Sequence, residues 1–351
     1  MTLALALTAC GGGSDGPTQR DPIIPCGADS CGKESFRRAV PSASTLKIEF
    51  QGTSGSGLKA RSSRALEAVS PAYLSTAAYV DAINADITAI FDDLEAIAGT
   101  APEVEDDAMH EWREEEGALE EVLHIDSDDG STFSLMYGVG EPGFELSADA
   151  ALLTAQVQLD ADGEKASFTI DIDLDAWTAA VPEADAEGRI HIRAMPLAGG
   201  ELEVWYDFQD VAVGGDAPAS SQTTYWIFEG ASGALEFLAA DDDGSATAFV
   251  RWAEDGGRYD HHVAFDDPEF GTVDEIVTNC WDDSAAETFD ASAVLDDQGA
   301  FEADLDGEEE SCLFGPVADH PNPGSDFEDL PGEGEWQALE DEACAADPDQ
   351  C

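Results

Sequence analysis

Strand-like segments joined by tight turns fill most of the sequence and restrict its fold more than any other feature. From about residue 119, apolar and polar residues alternate with a period of two or form short apolar runs, which indicates β-strands. The segments are Thr132–Tyr137, Thr154–Leu159, Ser167–Leu174, Arg189–Ala194, Glu201–Phe208, Thr224–Phe228, Ala234–Leu238, Thr247–Trp252, Tyr259–Phe265, Thr272–Thr278 and Ala300–Leu305.

Glycine-containing turns separate most of these segments. Asp129-Gly130, Asp243-Gly244 and Asp255-Gly256 are typical of hairpin turns, because glycine adopts the positive φ angles that such turns need. Hairpins join antiparallel neighbours. The sequence therefore predicts a mainly β fold, a long antiparallel meander of about a dozen strands. A sheet of that size is expected to curl as a barrel, a half-barrel or a sandwich.

A helix is predicted before the strands, over residues 70–98. Ser70 can cap its first turn, Pro71 suits that turn, and Gly99 with Pro102 ends it. Apolar residues recur every three or four positions at Tyr73, Ala77, Val80, Ile83, Ile87, Ile90, Leu94 and Ile97. This long N-terminal amphipathic helix is expected to pack on its own sheet. Binding of a partner or a lipid is the alternative.

Two segments have weaker patterns. Residues 103–117 are ambiguous, because Val104, Ala108 and Trp112 have helical spacing but acidic residues and Gly117 interrupt it. Residues 316–351 combine five prolines with many acidic residues, which predicts an irregular tail with a small loop closed by Cys344 and Cys351.

Charge is strongly negative and unevenly distributed. The chain has 14 Lys and Arg against 77 Asp and Glu, for a net charge of −63. Residues 1–64 hold eight basic and five acidic residues, so the remainder carries 72 acidic and six basic residues. Nucleic acid is excluded as a partner, because phosphate binding needs clustered cations. The composition suits a salty exterior, where ions screen self-repulsion, or an acidic secreted protein.

The first residues carry an export pattern. Met1–Ala9 is apolar and is followed by Cys10 and a Gly/Ser spacer. Leu7-Thr8-Ala9-Cys10 resembles the lipobox of bacterial lipoproteins. The resemblance implies cleavage before Cys10 and a lipid on its sulfur, and Gly11 favours the outer membrane. The apolar stretch is short and no basic residue precedes it, which a start codon further upstream would explain.

The other cysteines are consistent with export to an oxidising compartment. In sequence order they pair as Cys26–Cys31, Cys280–Cys312 and Cys344–Cys351. The sequence contains no C-x-x-C spacing, so zinc is not expected. The predicted 280–312 bond requires the chain after Asp306 to cross back over the sheet end, with Trp281 near Phe314.

Few residues indicate a chemical site. Asp171, Asp173 and Asp175 would share one face if they lie on one strand, and such a ladder could bind Ca²⁺. A solvated acidic face is the simpler interpretation. His191 is expected opposite Ile190 and Ile192. The adjacent His261 and His262 are expected on opposite faces, where they cannot chelate one metal. No cofactor or catalytic residue is predicted.

These observations divide the chain into four parts. Residues 1–9 are a signal peptide, 10–68 a lipid anchor and flexible tether, 69–315 the body, and 316–351 the acidic tail. The leading hypothesis is a non-enzymatic cell-envelope lipoprotein that reaches the membrane through Cys10 and binds a partner or ligand. The first alternative is a carrier of an apolar ligand, since the architecture alone resembles periplasmic lipoprotein carriers of the half-barrel type. The second alternative is an envelope hydrolase.

Overall fold

The structure is a computed structural model of the full chain. It describes residues 33–41, 46–48, 50, 69–106, 108–160, 165–196, 202–213, 219–227, 232–241, 244–267, 271–296, 299–315 and 335–346. The predicted signal peptide, the lipidation site Cys10 and most of the tether lie outside the described residues.

Strands dominate the described residues. The helices whose bounds fall within the described ranges are α1 (Lys33–Ala39), α2 (Pro71–Gly99), α3 (Leu174–Ala180) and α4 (Trp336–Ala346). The strands are β1 (Val104–Glu105), β2 (Met109–Glu116), β3 (Leu119–Asp126), β4 (Thr132–Gly140), β5 (Leu153–Leu159), β6 (Lys165–Asp173), β7 (Ala186–Pro196), β8 (Leu202–Val213), β9 (Ala219–Ile227), β10 (Gly233–Asp241), β11 (Gly244–Ala253), β12 (Gly256–Asp267), β13 (Gly271–Asp282), β14 (Glu287–Asp296) and β15 (Gly299–Gly307). Short 3₁₀ helices occur at Pro182–Ala184 and Glu309–Ser311.

The strands form an antiparallel meander, as the turns predict. The strand order is the chain order from β1 to β15, and adjacent strands pair antiparallel wherever their register is described. The alternative of a closed barrel is wrong, because β1 and β15 stand at opposite ends of this order without pairing. With two residues, β1 offers too few backbone groups to close a sheet.

Contacts within the chain define two compact units. The first comprises Met1–Lys47, Ala82–Leu197 and Val204–Ala219, and it contains β1–β7 and most of β8. The second comprises Ile48–Asp81, Ala198–Glu203 and Ser220–Cys351, and it contains nearly all of β9 and then β10–β15. Each unit has its own buried side chains.

In the first unit, one side of the strands is buried and the other is open to solvent. The burial pattern of β5 shows this directly, since Leu153, Ala155, Val157 and Leu159 are buried and the residues between them are not. Helix α1 covers part of the buried side, where the Phe36 ring stacks on His110 with 4.0 Å between centroids. Such alternation is expected of an antiparallel sheet with one solvated face.

Arg37 of α1 ties that helix to the C-terminal end of α2. Its guanidinium donates to the carbonyl oxygens of Ala98 at 2.8 Å, Gly99 at 2.9 Å and Thr100 at 2.7 Å. The last carbonyls of a helix have no partner within the helix, and a cation there interacts favourably with the helix dipole. Arg37 therefore provides hydrogen-bond donors for the carbonyl groups at the end of α2 and holds α1 beside them.

In the second unit, side chains pack on both sides of the sheet, and β13 is covered on both of its faces. On one side, Phe50 packs against Tyr73 of α2 and against Trp252 and Trp281, with ring centroids 5.2 to 6.2 Å apart. On the other side, α4 contributes Trp336 to a buried cluster of Ile276, Cys280, Phe289, Ala291 and Ala293. Burial on both faces explains the apolar runs in this strand.

The Cys280–Cys312 disulfide is present, as predicted. Its Cα atoms are 5.5 Å apart and its cysteines are separated by 32 positions in the sequence. Cys344 is also disulfide-bonded. Its predicted partner Cys351, like Cys26 and Cys31, lies outside the described residues.

Residues 308–315, here called the crossing segment, run back over the ends of four strands. The Ser311 hydroxyl donates to the Thr288 carbonyl of β14 at 3.0 Å, and Cys312 is bonded to β13. Arg258 of β12 contacts Glu309 at 3.4 Å and the Phe314 carbonyl at 3.5 Å. Arg251 of β11 donates to the Gly315 carbonyl. The predicted return of the chain over the sheet end is therefore correct. The described ring contacts do not bear out the expected proximity of Trp281 to Phe314, since Trp281 packs against Phe50 and Tyr73, whereas the Phe314 ring lies against the Arg251 guanidinium.

Arg258 is a buried cation within this arrangement. Its side chain and that of Asp260 are each 1% exposed, and its Nε lies 2.9 Å from Asp260 Oδ2. The Thr278 hydroxyl donates to Asp260 Oδ1 at 2.7 Å. Burying a charge is costly unless it is paired and hydrogen-bonded, so these partners are what make the site stable.

Two segments with weak sequence patterns form regular structure in their described parts. Residues 103–117, whose sequence pattern is ambiguous, contain β1 and β2, and in β2 buried His110 and Trp112 alternate with Glu111 and Arg113. Because His110 is polar yet buried, a hydrophobicity pattern does not show the alternation of buried and exposed residues in this strand. The composition of the tail predicts irregular structure, but the described part of the tail is helix α4, whose buried Trp336 and Ala343 contribute apolar surface.

Candidate functional site

The solvent-facing side of the first unit's strands, here called the polar face, presents a row of chemically varied side chains. Each residue of the row is the direct antiparallel partner of the next, so all lie on one side of the sheet. From β2 to β7 the row is Glu111, His124, Met136, Thr154, Asp171 and His191. Their sequence neighbours are buried on the opposite side of the same strands.

An open groove crosses this face between β3 and β6. Its volume is about 230 Å³. The lining residues are Asp126, Ser134, Leu135, Met136, Thr154, Ala155, Gln156, Thr169 and Asp171. The Gln156 amide donates to the Ser134 hydroxyl at 2.8 Å. Hydroxyl, amide and carboxylate groups thus share one small surface.

Both carboxylates of the groove lie near an imidazole. His191 Nδ1 is 2.6 Å from Asp171 Oδ1, and His124 Nε2 is 3.8 Å from Asp126 Oδ2. An ionised carboxylate only accepts hydrogen bonds, so Nδ1 of His191 carries the proton in the first pair. In neutral His191, Nε2 is then an acceptor.

An aromatic side chain lies on the same face beside His191. The Trp205 ring of β8 meets the His191 ring edge to face, with centroids 5.5 Å apart. The Arg193 guanidinium lies over the Trp205 ring at 5.4 Å from its centroid, a cation–π geometry. Trp205 was not singled out from the sequence, although its alternation with buried Val204 and Tyr206 is a usable signal.

The predicted Asp171, Asp173 and Asp175 ladder does not form. Strand β6 ends at Asp173, which caps α3 by accepting a hydrogen bond from the Ala176 amide at 2.9 Å. Asp175 therefore lies in the first helical turn, where it accepts from the Gly188 amide at 3.4 Å. Among the described residues, no group of three or more His, Cys, Asp or Glu side chains could hold a metal ion.

The remaining histidine predictions concern β7 and β12. His191 faces away from buried Ile190 and Ile192, as predicted. His262 Nε2 lies 2.8 Å from Asp274 Oδ1, whereas His261 packs near the Tyr259 ring. Burial lowers the pKa of His261, and the neighbouring His262 adds to this shift. Burial also raises the pKa of Tyr259 to about 12, with a further contribution from Glu275.

Comparisons with protein-family models, curated proteins and solved structures find no significant match to this chain. None of the helices in the described part of the chain is long and apolar enough to cross a membrane. The polar face is therefore interpreted from its own geometry.

Proposed function

We propose that this protein is an exported lipoprotein of the cell envelope, held at the membrane by a lipid on Cys10. The observation that carries the proposal is Leu7-Thr8-Ala9-Cys10 followed by a Gly/Ser spacer. Several acyl chains on one cysteine anchor a protein stably, whereas one chain is marginal. Gly11 after the cysteine favours the outer membrane. The Cys280–Cys312 bond adds support, because disulfides persist outside the cytosol.

The role that we propose for the body is non-enzymatic binding through the polar face. This face combines a groove, paired carboxylates and a half-buried tryptophan on the regular scaffold of β3–β8. Polar groups held by strands keep their spacing, which favours recognition of a ligand with matching donors and acceptors.

The two alternatives receive less support. A carrier needs a largely apolar cavity of about 300–1,000 Å³. The described groove of about 230 Å³ lies on the solvent-facing side of the sheet and has a mixed lining, so it is not the enclosed apolar cavity that a carrier uses. A hydrolase needs a nucleophile within reach of a base. His124, His191 and His262 contact carboxylates, a pairing that orients an imidazole but does not itself supply a hydroxyl or thiol nucleophile. We therefore favour the binding role.

Replacement of the lipidated cysteine tests the proposed anchor. In the native cell, Cys10→Ser should move the protein from the membrane fraction to the soluble fraction, because no thioether to lipid can form. Cys26→Ser is the matched control and should stay with membranes. Mass spectrometry of the mature N-terminal peptide should show a lipid on Cys10. Unchanged fractionation of Cys10→Ser would refute the anchor.

A further inference from the structure

The groove on the polar face presents hydrogen-bonding groups at regular intervals. Neighbouring strands lie about 4.8 Å apart, so Ser134, Gln156 and Thr169 on successive strands place polar side chains at that spacing. All three line the groove. Such an array suits a ligand that carries several hydroxyl groups along its length.

The charges around the groove favour a neutral ligand. The chain carries −63 overall, and Asp126 and Asp171 line the groove, so anionic ligands are repelled. Asp171 is engaged by His191 at 2.6 Å, and Asp126 lies 3.8 Å from His124. An imidazole already faces each carboxylate. The two carboxylates are therefore better suited to accept hydrogen bonds from a ligand than to bind a cation.

Trp205 supplies an apolar contact beside the polar groups. His191 joins the two parts of the surface, since it contacts both Asp171 of the groove and the Trp205 ring. Tryptophan offers a large rigid surface at low entropic cost, and its half-buried ring adjoins the guanidinium of Arg193. The C–H face of a sugar ring can pack on such a surface while its hydroxyls reach polar groups.

We infer that this groove, with Trp205, binds a neutral carbohydrate. The inference rests on the proposed binding function and specifies the class of ligand. The lining also includes Leu135, Met136 and Ala155, which can contact the apolar parts of a sugar ring. A wholly apolar lipid is disfavoured, because the hydroxyl, amide and carboxylate groups beside them would lose their hydrogen bonds to water. A polyanionic polymer is opposed by the charge of the chain.

Binding to neutral polysaccharides tests the inference. The full chain is incubated with insoluble cellulose and chitin and with bead-coupled dextran and mannan, and depletion from solution gives the affinity. Polygalacturonate beads provide the anionic comparison. At least one neutral polymer should bind at both low and high NaCl concentration, because hydrogen bonding and stacking depend less on salt than ion pairing does.

Matched variants locate the binding surface. Gln156→Ala and Trp205→Ala should each weaken binding at least tenfold. Gln158→Ala should bind as the wild type, since Gln158 is exposed on the same side of β5 but does not line the groove. Unchanged melting temperatures show that all three variants are folded.

The inference is overturned if no neutral polymer binds, if polygalacturonate alone binds, or if the groove variants bind as well as Gln158→Ala. These outcomes are separate from the test of the anchor. A membrane-bound protein that binds no polysaccharide refutes only the carbohydrate inference. If the protein binds a neutral polysaccharide but Cys10→Ser stays in the membrane fraction, only the lipid anchor is refuted.

Discussion

Removal of the Cys280–Cys312 bond should destabilise the second unit more than the loss of any single hydrogen bond in that unit. The bond closes a loop of 32 positions between β13 and the crossing segment. In the chain-entropy model, closing a loop of that length lowers the conformational entropy of the unfolded chain. This stabilises the folded state by about 3.7 kcal/mol. Replacement of both cysteines by Ala should therefore lower the free energy of unfolding by about 3–4 kcal/mol.

The native fold should survive this replacement, because the crossing segment has other attachments. Ser311 donates to the Thr288 carbonyl, and Glu309 lies 3.4 Å from buried Arg258. Cys280 is fully buried, so the lost sulfur also leaves a small void beside Phe289. The void adds to the loss of stability, which places the expected value at the upper end of this range.

Equilibrium unfolding in urea at constant high NaCl concentration measures the effect. Tryptophan fluorescence follows the transition, since Trp252 and Trp281 are buried in the second unit. Ser311→Ala is the control, because it removes one hydrogen bond of the same segment and should cost about 0.5–1.5 kcal/mol. A double-cysteine variant that loses no more than this control would refute the entropic reasoning.

Three further predictions concern the whole chain, a glycine and a histidine. The melting temperature should be higher in about 2 M than in about 0.05 M NaCl, since salt screens the repulsion among acidic residues; equal values by calorimetry would contradict this. Gly257→Ala should cost about 1–3 kcal/mol in urea unfolding, because a Cβ there would lie 2.1 Å from the Trp281 ring. Gly99→Ala has open space around its Cβ and should not destabilise the protein. The pKa of His261 is lowered in the folded state, so the unfolded state binds the proton more readily. The contribution of His261 should therefore become destabilising as pH drops below about 6.5, and over that range the stability of the wild type should decrease relative to that of His261→Gln.

The meander could be predicted because its signals are local. Asp241 pairs with Gly244, Ala253 with Gly256 and Asp296 with Gly299, so two residues connect each of these strand pairs. A two-residue loop with glycine at its end determines both the antiparallel direction and the register. Every side chain of the pair is then assigned to a face by alternation alone.

Chain direction also allowed the Cys280–Cys312 pairing to be predicted. Strands two positions apart in a sheet are too distant for a disulfide, so the bond required the chain after β15 to return across the strand ends. The crossing segment makes that return. The sequence does not indicate, however, that Arg251 and Arg258 would bind the carbonyls of this segment.

Only the tertiary structure decided which polar residues are buried and which polar residues form a site. His110 belongs to the core because Phe36 stacks on it from more than 70 positions away. Trp336 makes its tail segment part of the second unit by joining the buried cluster of β13 and β14 side chains. The polar face depends on the pairing of successive strands, which brings Asp171, His191 and Trp205 together. Turns and alternation act over a few residues, whereas these contacts arise from packing between distant segments, for which the local sequence carries no signal.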